Sequence, residues 1–380
     1  MPARALPAAL AGVFGCLLLA HGTPSARAQE TPHSGRVVIT VAGDVLPESS
    51  WQGPQDTPHL FDGVREEFAR ADLVFVNLEE PITGSHKITP YKNKAAVKAG
   101  RDYILRARNP LLPRIFKEAG IGLVGLANNH MMDYTVAGLR DTLRGFEEAN
   151  LPVVGAGRKT QAERAFVFEK HGLRVALLAF TDVVPPHSKA TAARPGVASS
   201  KKLIDLVSAI GRARKQADFV VLMIHWGGQG NHRITRRQRA VARVAARAGC
   251  DVVVGMHPHV LQGIEYIGRV PVFYSIGNFA FPSSNPAARE CLMVKFIFGP
   301  NEVEGTELVP VEISPDGTPA VASGARGEEI LAHLDDFCRM FSTRIDGGRL
   351  ARSSVREELV YGATIGRRSS SRAPRRRTRR

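Results

Sequence analysis

Cysteine is scarce in this sequence. Four cysteines occur in 380 residues, and one of them, Cys16, lies in an apolar stretch near the N-terminus. The other three, Cys250, Cys291 and Cys338, are far apart in the chain and form no C-x-x-C pair. The spacing therefore indicates neither a disulfide framework nor a cysteine metal site, although one bridge stays open. The apolar neighbours of Cys250 and Cys291 favour buried free thiols.

Long apolar runs are also absent after the N-terminal region. No later stretch approaches the roughly 20 apolar residues that a membrane-spanning helix needs. Residues 1–28 contain Arg4, then an apolar stretch over residues 6–20, then small residues that end at Ala28. This order is typical of a secretory signal peptide. We therefore expect cleavage after Ala28 and an exported mature chain, either periplasmic or extracellular.

A lipoprotein signal is the less favoured interpretation of the same segment. It would use Cys16, but the bulky Phe14 occupies a position where a small residue is expected, and apolar residues continue past the cysteine.

Acidic residues are fewer than basic ones, with 36 Asp and Glu against 51 Lys and Arg and a formal net charge of +15. Eight of the arginines lie in residues 366–380, a segment without apolar periodicity. We expect this basic tail to be disordered and solvated. The alternative is an electrostatic tether to an anionic polymer, an envelope surface or nucleic acid. The tail contains no aromatic residue for base stacking, so we expect no specific nucleic-acid binding.

Apolar strand-like runs alternate with helical patterns from residue 35 to about residue 299, which predicts a layered α/β domain over residues 35–345. The predicted helices cover residues 61–71, 110–119, 136–150, 199–216, 235–249 and a terminal helix over 328–341. A strand is predicted at 306–313, with a turn at 316–317 after it. The unpatterned segments 84–101 and 183–197 are predicted to be lids or binding loops.

Side chains able to bind metal or transfer protons follow the strand-like runs. They are Asp44, Asn77 and Glu79, Asn129 and His130 with Asp133 beyond them, His225, and the pair His257 and His259. The carboxyl ends of strands in an α/β sheet are where such folds place their active sites. Carboxylate oxygens and imidazoles together suit Zn, Mn or Fe. The sequence therefore predicts a metal centre at this edge of the sheet.

Two of these residues have an ordinary structural interpretation when each is considered alone. Asp44 follows Gly43, which permits a close backbone approach, and would ordinarily be a turn or helix-cap residue. His225 would ordinarily be a hydrogen-bonded core histidine. Two adjacent asparagines and a histidine, by contrast, are costly to bury without partners. In an extended backbone His257 and His259 would point the same way, and Pro258 between them would stiffen that geometry.

The sequence blocks that contain these residues resemble the CapA family of poly-γ-glutamate capsule synthesis proteins. The blocks are Gly43-Asp44, Asn77-Leu78-Glu79-x-Pro81, Ala127-Asn128-Asn129-His130-x-x-Asp133-Tyr134, His225-Trp226-Gly227, Gly255-x-His257-Pro258-His259-Val260 and Ser275-x-Gly277-Asn278-Phe279. They occur in this order over residues 36–281. The CapA family is similar to the calcineurin-like metallophosphoesterases, so the resemblance implies an α/β fold, a four-layer αββα sandwich.

The resemblance also implies a role for each site residue. It implies that one or two divalent metals are held by Asp44, Glu79, Asn129, His225, His257 and His259. It further implies that His130 is the acid or phosphate contact outside the metal shell, with Asp133 orienting its imidazole.

Two positions depart from the family pattern. The phosphoesterase opening Asp-x-His is Asp44-Val45-Leu46 here, so one metal position is short of a ligand. Where the family often has a glutamate soon after His-Trp-Gly, this chain has Gln229, which cannot act as a base.

The resemblance implies an exported protein of capsule or poly-γ-glutamate biosynthesis that is a metal-dependent hydrolase of the phosphoester type. The alternative is a non-catalytic component that binds an anionic polymer during capsule export. The expected partners are a phosphorylated substrate or an anionic polymer, together with envelope capsule-synthesis proteins.

Overall fold

The computed structural model describes residues 35–48, 57–341 and 343–352, with residues 351 and 352 described through the backbone only. The predicted signal peptide and the predicted basic tail lie outside the described residues. The domain boundaries at residues 35 and 345 stay a prediction. Among the described helices, none is long and apolar enough to cross a membrane.

The strands of the described residues are numbered in chain order. They are β1 (Val37–Val45), β2 (Leu73–Leu78), β3 (Leu123–Gly125), β4 (Val153–Val154), β5 (Ala156–Gly157), β6 (Phe166–Lys170), β7 (Leu173–Thr181), β8 (Gly196–Val197), β9 (Phe219–His225), β10 (Val252–Met256), β11 (Ile264–Ile267), β12 (Val270–Phe273), β13 (Asn278–Ala280), β14 (Glu290–Phe298), β15 (Val303–Ile313), β16 (Pro319–Val321), β17 (Thr343–Asp346) and β18 (Arg349–Arg352).

The α-helices of the same residues are numbered likewise. They are α1 (Arg65–Ala69), α2 (Lys94–Lys98), α3 (Leu112–Glu118), α4 (Thr135–Glu148), α5 (Lys159–Ala162), α6 (Leu203–Arg214), α7 (Arg236–Ala248) and α8 (Gly324–Cys338). Short 3₁₀ turns occupy Thr57–His59, Asp62–Val64, Pro286–Arg289 and Arg339–Phe341.

Two large sheets contain most of the strands. The first has the order β17-β18-β15-β14-β1-β2-β3-β4, with β13 paired to β1 and β16 paired to β15. The second has the order β11-β12-β10-β9-β7-β6. In the first sheet β1, β2, β3 and β4 are parallel, and in the second β7, β9, β10 and β12 are parallel. The parallel strands of each sheet therefore end at a common edge.

The apolar side chains define four layers. Ile39, Phe75 and Phe296 of the first sheet share one core with Leu177 and Val221 of the second, so two sheet faces pack against each other. The opposite face of the first sheet is covered by α1, α3 and α4, and that of the second sheet by α6 and α7. The order helix, sheet, sheet, helix confirms the predicted αββα sandwich.

The predicted helices match the structure best where local signals mark their ends. Before α7, Thr235 and Gln238 form a capping box, and Gly249 ends the helix with a φ of 110°. The region predicted as helix 61–71 contains only a 3₁₀ turn and the five residues of α1. The helix predicted at 328–341 is α8, which begins earlier, and it is not terminal because β17 and β18 follow it.

The two unpatterned segments are largely irregular, and a lid or binding role for them stays a prediction. Segment 84–101 is irregular apart from α2, and segment 183–197 is irregular apart from β8. Cys250, Cys291 and Cys338 are buried free thiols, so the bridge that was left open does not form among them.

Candidate metal centre

The parallel strands of the two sheets bring the predicted ligands together at one edge. Asp44 near the end of β1 pairs in register with Asn77 of β2 and with Asn278 of β13. In the other sheet His225, the last residue of β9, pairs with Met256 of β10, and His257 and His259 follow that strand. Glu79, His257 and His259 each offer a ligand atom within 4.8 Å of the others. We call Asp44, Glu79, Asn129, His225, His257 and His259 the central cluster.

Asp44 is fully buried and holds the cluster in register. Its Oδ1 accepts a hydrogen bond of 2.7 Å from Asn77 Nδ2, and its Oδ2 accepts one of 3.0 Å from the His257 backbone N–H. His259 Nδ1 lies 3.5 Å from the same Oδ2. One carboxylate thus links the first sheet to the loop after β10 in the second sheet.

Four atoms that could bind a metal lie close together, namely Nε2 of His225 and three neighbouring atoms. His225 Nε2 lies 2.7 Å from Asn129 Oδ1, 2.9 Å from His257 Nδ1 and 3.3 Å from Glu79 Oε1. Both Glu79 carboxylate oxygens are buried and accept no hydrogen bond from the described part of the chain. A buried carboxylate without donors is costly, and a cation removes that cost. The donor set of one carboxylate, one amide oxygen and two imidazoles therefore fits a divalent transition metal.

The ionisation of the cluster shows which protein groups compensate the buried carboxylates. Burial alone would raise the pKa of Glu79, but the imidazoles of His259 and His225 lower it well below its usual range. Burial would lower the pKa of His225, but the carboxylates of Glu79 and Asp44 raise it to about 9. The pKa of His257 is lowered by burial and by the neighbouring imidazoles of His225 and His259. Among these groups, an imidazolium at His225 supplies the positive charge that the carboxylates require.

The loop with His257 and His259 differs from the extended geometry that the sequence predicted. Both residues have positive φ, 93° for His257 and 57° for His259. Side chains other than glycine rarely occupy this region, and where they do the strain is commonly found at functional sites. The two rings still face the cluster, because the backbone turns at each histidine instead of running straight through Pro258.

The predicted close approach at Gly43 is present in the fold. A Cβ on Gly43 would lie 2.3 Å from the carbonyl oxygen of Gly277 and 2.8 Å from that of Asn278. The contact brings β1 against the start of β13, where Asn278 Oδ1 lies 2.8 Å from His259 Nδ1. Asn278 belongs to a sequence block noted above, but its role in fixing the His259 ring became apparent only in the fold.

His130 and Asp133 form a buried pair beside the cluster. His130 Nδ1 lies 2.8 Å from Asp133 Oδ2, which also accepts a hydrogen bond of 2.9 Å from the Leu105 backbone N–H. With a proton on Nδ1, His130 donates to Asp133, and its Nε2 remains for exchange with a ligand. The predicted contact between Asp133 and the His130 ring is present, and the catalytic roles of the two residues stay a prediction.

Lys92 is a site residue that the sequence did not indicate. Its ammonium group lies 2.8 Å from Asp133 Oδ1 and 3.0 Å from Asp133 Oδ2, donates to the Tyr103 carbonyl, and is 3.0 Å from His130 Nδ1. Its side chain is 5% exposed. Nothing in segment 84–101 distinguished this lysine from its exposed neighbours, so a buried cation beside Asp133 emerges only from the fold.

Two further asparagines support the turn that contains His130. Asn128 Nδ2 donates to the Leu78 carbonyl at 2.7 Å, and Asn128 Oδ1 accepts from the backbone N–H groups of His130 and Met131. Asn77 contacts the side chains of Asp44 and Asn128. Asn128 therefore holds the backbone of the turn and Asn77 supports Asn128, whereas Glu79 and Asn129 face the cluster.

Comparison with known proteins identifies the family. The family model described as bacterial capsule synthesis protein PGA_cap matches residues 38–283. This chain is 32% identical over 298 residues to the capsule biosynthesis protein CapA of Bacillus anthracis, a match that covers 76% of this chain and 70% of that protein. It belongs to the PGA_cap family. It is also 33% identical over 263 residues to the PGA biosynthesis protein CapA of Bacillus subtilis, covering 69% of this chain and 66% of that protein.

Solved structures similar to this PGA_cap family chain include nucleotidases. The Haemophilus influenzae NAD nucleotidase aligns with a TM-score of 0.43 at 12% identity, covering 79% of this chain and 63% of that one. A putative 5′-nucleotidase from Staphylococcus aureus aligns with a TM-score of 0.43 at 13% identity, covering 79% and 58%.

The two departures from the family pattern lie at the cluster itself. Two residues after Asp44 the chain has Leu46, which is buried and apolar, so this segment supplies one ligand where an Asp-x-His opening would supply two. Gln229 Nε2 lies 3.4 Å from His259 Nε2. Within the PGA_cap fold Gln229 thus contacts a cluster residue through a neutral amide, without a carboxylate that could accept a proton.

Two cavities border the central cluster. Cavity A, of about 630 Å³, is reached by Asn129, Lys92, Lys201 and Arg237. Cavity B, of about 370 Å³, is lined by Glu79, His130, His259, Gln229 and Ser284.

Proposed function

We propose that this chain is an exported metal-dependent hydrolase of the phosphoester type that acts in capsule or poly-γ-glutamate biosynthesis. The observation that carries this proposal is the Glu79 carboxylate, buried without a hydrogen-bond donor among the described residues and surrounded by His225, His257 and His259. The family and the names of the Bacillus relatives support the biological setting.

The central cluster would hold one or two divalent cations. When bound, such a cation supplies Lewis acidity and lowers the pKa of coordinated water. The protein groups supply the remaining functions. Asp44 and the strained loop with His257 and His259 fix the ligand positions, and His130, with Nδ1–H bound to Asp133, presents Nε2 at the wall of cavity B. A proton on that nitrogen would pass to the leaving oxygen of the substrate.

A non-catalytic function is favoured by one feature of the cluster. Asp44 has no histidine two residues later and Gln229 replaces a carboxylate, so the ligand set is smaller than a two-metal hydrolase uses. The same groups would then bind an anionic polymer during export without cleaving it.

Metal analysis combined with a phosphoester screen tests the proposal. The purified chain from residue 29 onward, loaded separately with Mn, Zn and Fe, is expected to bind metal and hydrolyse a phosphoester, and Glu79→Gln is expected to lower metal content. Bound metal without turnover of any phosphoester would favour the binding component.

Native protein is expected to begin at Gln29 outside the cytoplasm, and Met1 retained in a cytosolic fraction would contradict export.

A further inference from the structure

Cavities A and B open onto the same point of the central cluster. Asn129, which borders cavity A, places Oδ1 2.7 Å from His225 Nε2. Glu79, which borders cavity B, places Oε1 3.3 Å from that same nitrogen. A group bound at His225 is therefore within reach of both cavities.

Two chain segments contribute to the walls of both cavities. Asp102 lines cavity A, whereas Tyr103 and Leu105 line cavity B. In the other segment Gly227 lines cavity A and Gln229 lines cavity B. The two cavities are therefore neighbours along these segments, and both reach the cluster.

We propose that the substrate of this site carries an organic group on each side of the scissile centre, as a phosphodiester does and a terminal phosphomonoester does not. This inference rests on the proposed function. A monoester has one organic substituent and fills one cavity. A diester fills both, and the additional surface that it buries strengthens its binding.

The two cavities also differ in charge, which distinguishes the two substituents. Cavity A contains Lys201 and Arg237, with Asp182 2.8 Å from Arg237 and 3.7 Å from Lys201. Beyond the cluster residues, cavity B presents the uncharged side chains of Gln229, Phe281 and Ser284. The substituent in cavity A is expected to carry polar or charged groups, and the one in cavity B to be neutral, with Phe281 available for an apolar or aromatic contact.

Equilibrium binding to the Mn-loaded protein tests the inference without requiring turnover. Titration calorimetry with phenyl phosphate and diphenyl phosphate is expected to show about tenfold tighter binding of the diester, which corresponds to about 1.4 kcal/mol. Ser284→Trp narrows cavity B from an exposed position. It is expected to weaken diphenyl phosphate more than phenyl phosphate, because the diester needs both cavities at once. The monoester loses only the contact with Phe281 when its ring moves to the larger cavity A.

Ser208→Trp is the matched control, since Ser208 is exposed on α6 and lines neither cavity. It is expected to leave both affinities unchanged.

Equal or tighter binding of phenyl phosphate, or an equal loss of affinity for both ligands in Ser284→Trp, overturns the two-sided substrate. If diphenyl phosphate binds tightly but no ester is hydrolysed, the two-sided site stands and the hydrolase fails. If a monoester is hydrolysed while diphenyl phosphate does not bind, the proposed hydrolase activity stands and the two-sided substrate is wrong. If neither ester binds, both proposals are wrong.

Discussion

At the scale of single residues, the central cluster contains groups that destabilise the folded chain unless a cation binds them. Glu79 is buried without a hydrogen-bond donor among the described residues, and His257 and His259 are held at positive φ. A positive φ at a residue other than glycine costs roughly 1–3 kcal/mol, and so does a buried polar group that accepts no hydrogen bond. Such costs persist in a fold when ligand binding requires the arrangement that causes them. Metal binding and the stability of the folded chain should therefore be linked at these positions.

His257 and His130 should respond differently to truncation. His257→Ala removes a cluster imidazole, so metal content should fall together with the stabilisation that metal gives, about 2.7 kcal/mol at 100 times the dissociation constant. His130→Ala should keep its metal but lower any hydrolysis by roughly 10²- to 10⁴-fold. Metal analysis, thermal unfolding and steady-state rates measure the contrast. Full metal content in both variants would show that the cluster is not the metal site.

Lys92 should matter for stability and for the His130 pair without affecting the metal. Lys92→Met keeps the length of the side chain but leaves the buried Asp133 carboxylate without its ammonium partner, so the free energy of unfolding should fall by about 3 kcal/mol. Metal content should be unchanged. Lys94→Met, an exposed lysine of α2 two residues away, is the matched control and should unfold like the parent. Equal stability of the two variants in chemical denaturation would contradict a structural role for Lys92.

At the scale of elements, the ends of β1, β9 and β10 determine where the ligands lie. Asp44 is held in register with Asn77 on one side and Asn278 on the other. The close contact of Gly43 with the Gly277 carbonyl makes this arrangement possible, because any Cβ at residue 43 meets backbone that cannot rotate away.

Gly43→Ala should therefore separate β1 from the start of β13. We expect a loss of about 1–3 kcal/mol in the free energy of unfolding, as overpacking in a core causes, together with weaker metal binding through displaced Asp44. Gly84→Ala is the control, since a Cβ there meets nothing within 4 Å. Parent-like stability and metal affinity in Gly43→Ala would refute this account of the strand contact.

Asp182, which follows β7, joins the second sheet to α7 through Arg237, with a closest contact of 2.8 Å. Burial raises the pKa of Asp182, but hydrogen bonds and charge from Arg237 outweigh burial and lower it below the ordinary value. Its contribution to stability is therefore present above the unfolded pKa of about 3.9 and is lost as pH falls through the lower folded value. The melting temperature of Asp182→Asn should be lower than that of the parent at pH 7, and the difference between the two should be smaller at pH 3. A difference that is undiminished at pH 3 would contradict this.

At the scale of the whole molecule, the excess of positive charge is concentrated at one end of the sequence. Eight arginines lie in residues 366–380, outside the described residues. Among the described residues, one continuous core joins the two sheets and runs from Val37 of β1 to Cys338 of α8.

Deletion of residues 366–380 should leave folding and metal content unchanged, because the segment has too little apolar surface to join a core. Thermal unfolding and metal analysis of the truncated and full chains provide the comparison. A large fall in melting temperature on truncation would show that the tail docks on the domain. A change confined to binding of an anionic polymer would instead assign it the tether role.

The sequence by itself determined the features that depend on near neighbours. The end signals of α7, Thr235 with Gln238 and Gly249, operate within a few residues. The alternation of strands and helices is likewise a local pattern, and it placed Asp44, Glu79, His225 and His257 after their strands. A resemblance across six ordered blocks then implied the four-layer fold and a common site.

Only the tertiary structure decided how these pieces meet. Asp44 and His257 are 213 residues apart, and their hydrogen bond depends on two sheets packing face to face. The positive φ of His257 and His259 is imposed by that packing, against the extended geometry that their spacing favours. Lys92 lies in a segment without periodicity, and its burial beside Asp133 arises from contacts 41 residues away along the chain. Local sequence preferences determine the strands and where they end. Contacts between charged groups of distant segments, such as Lys92 and Asp133, form only when the fold buries those segments together.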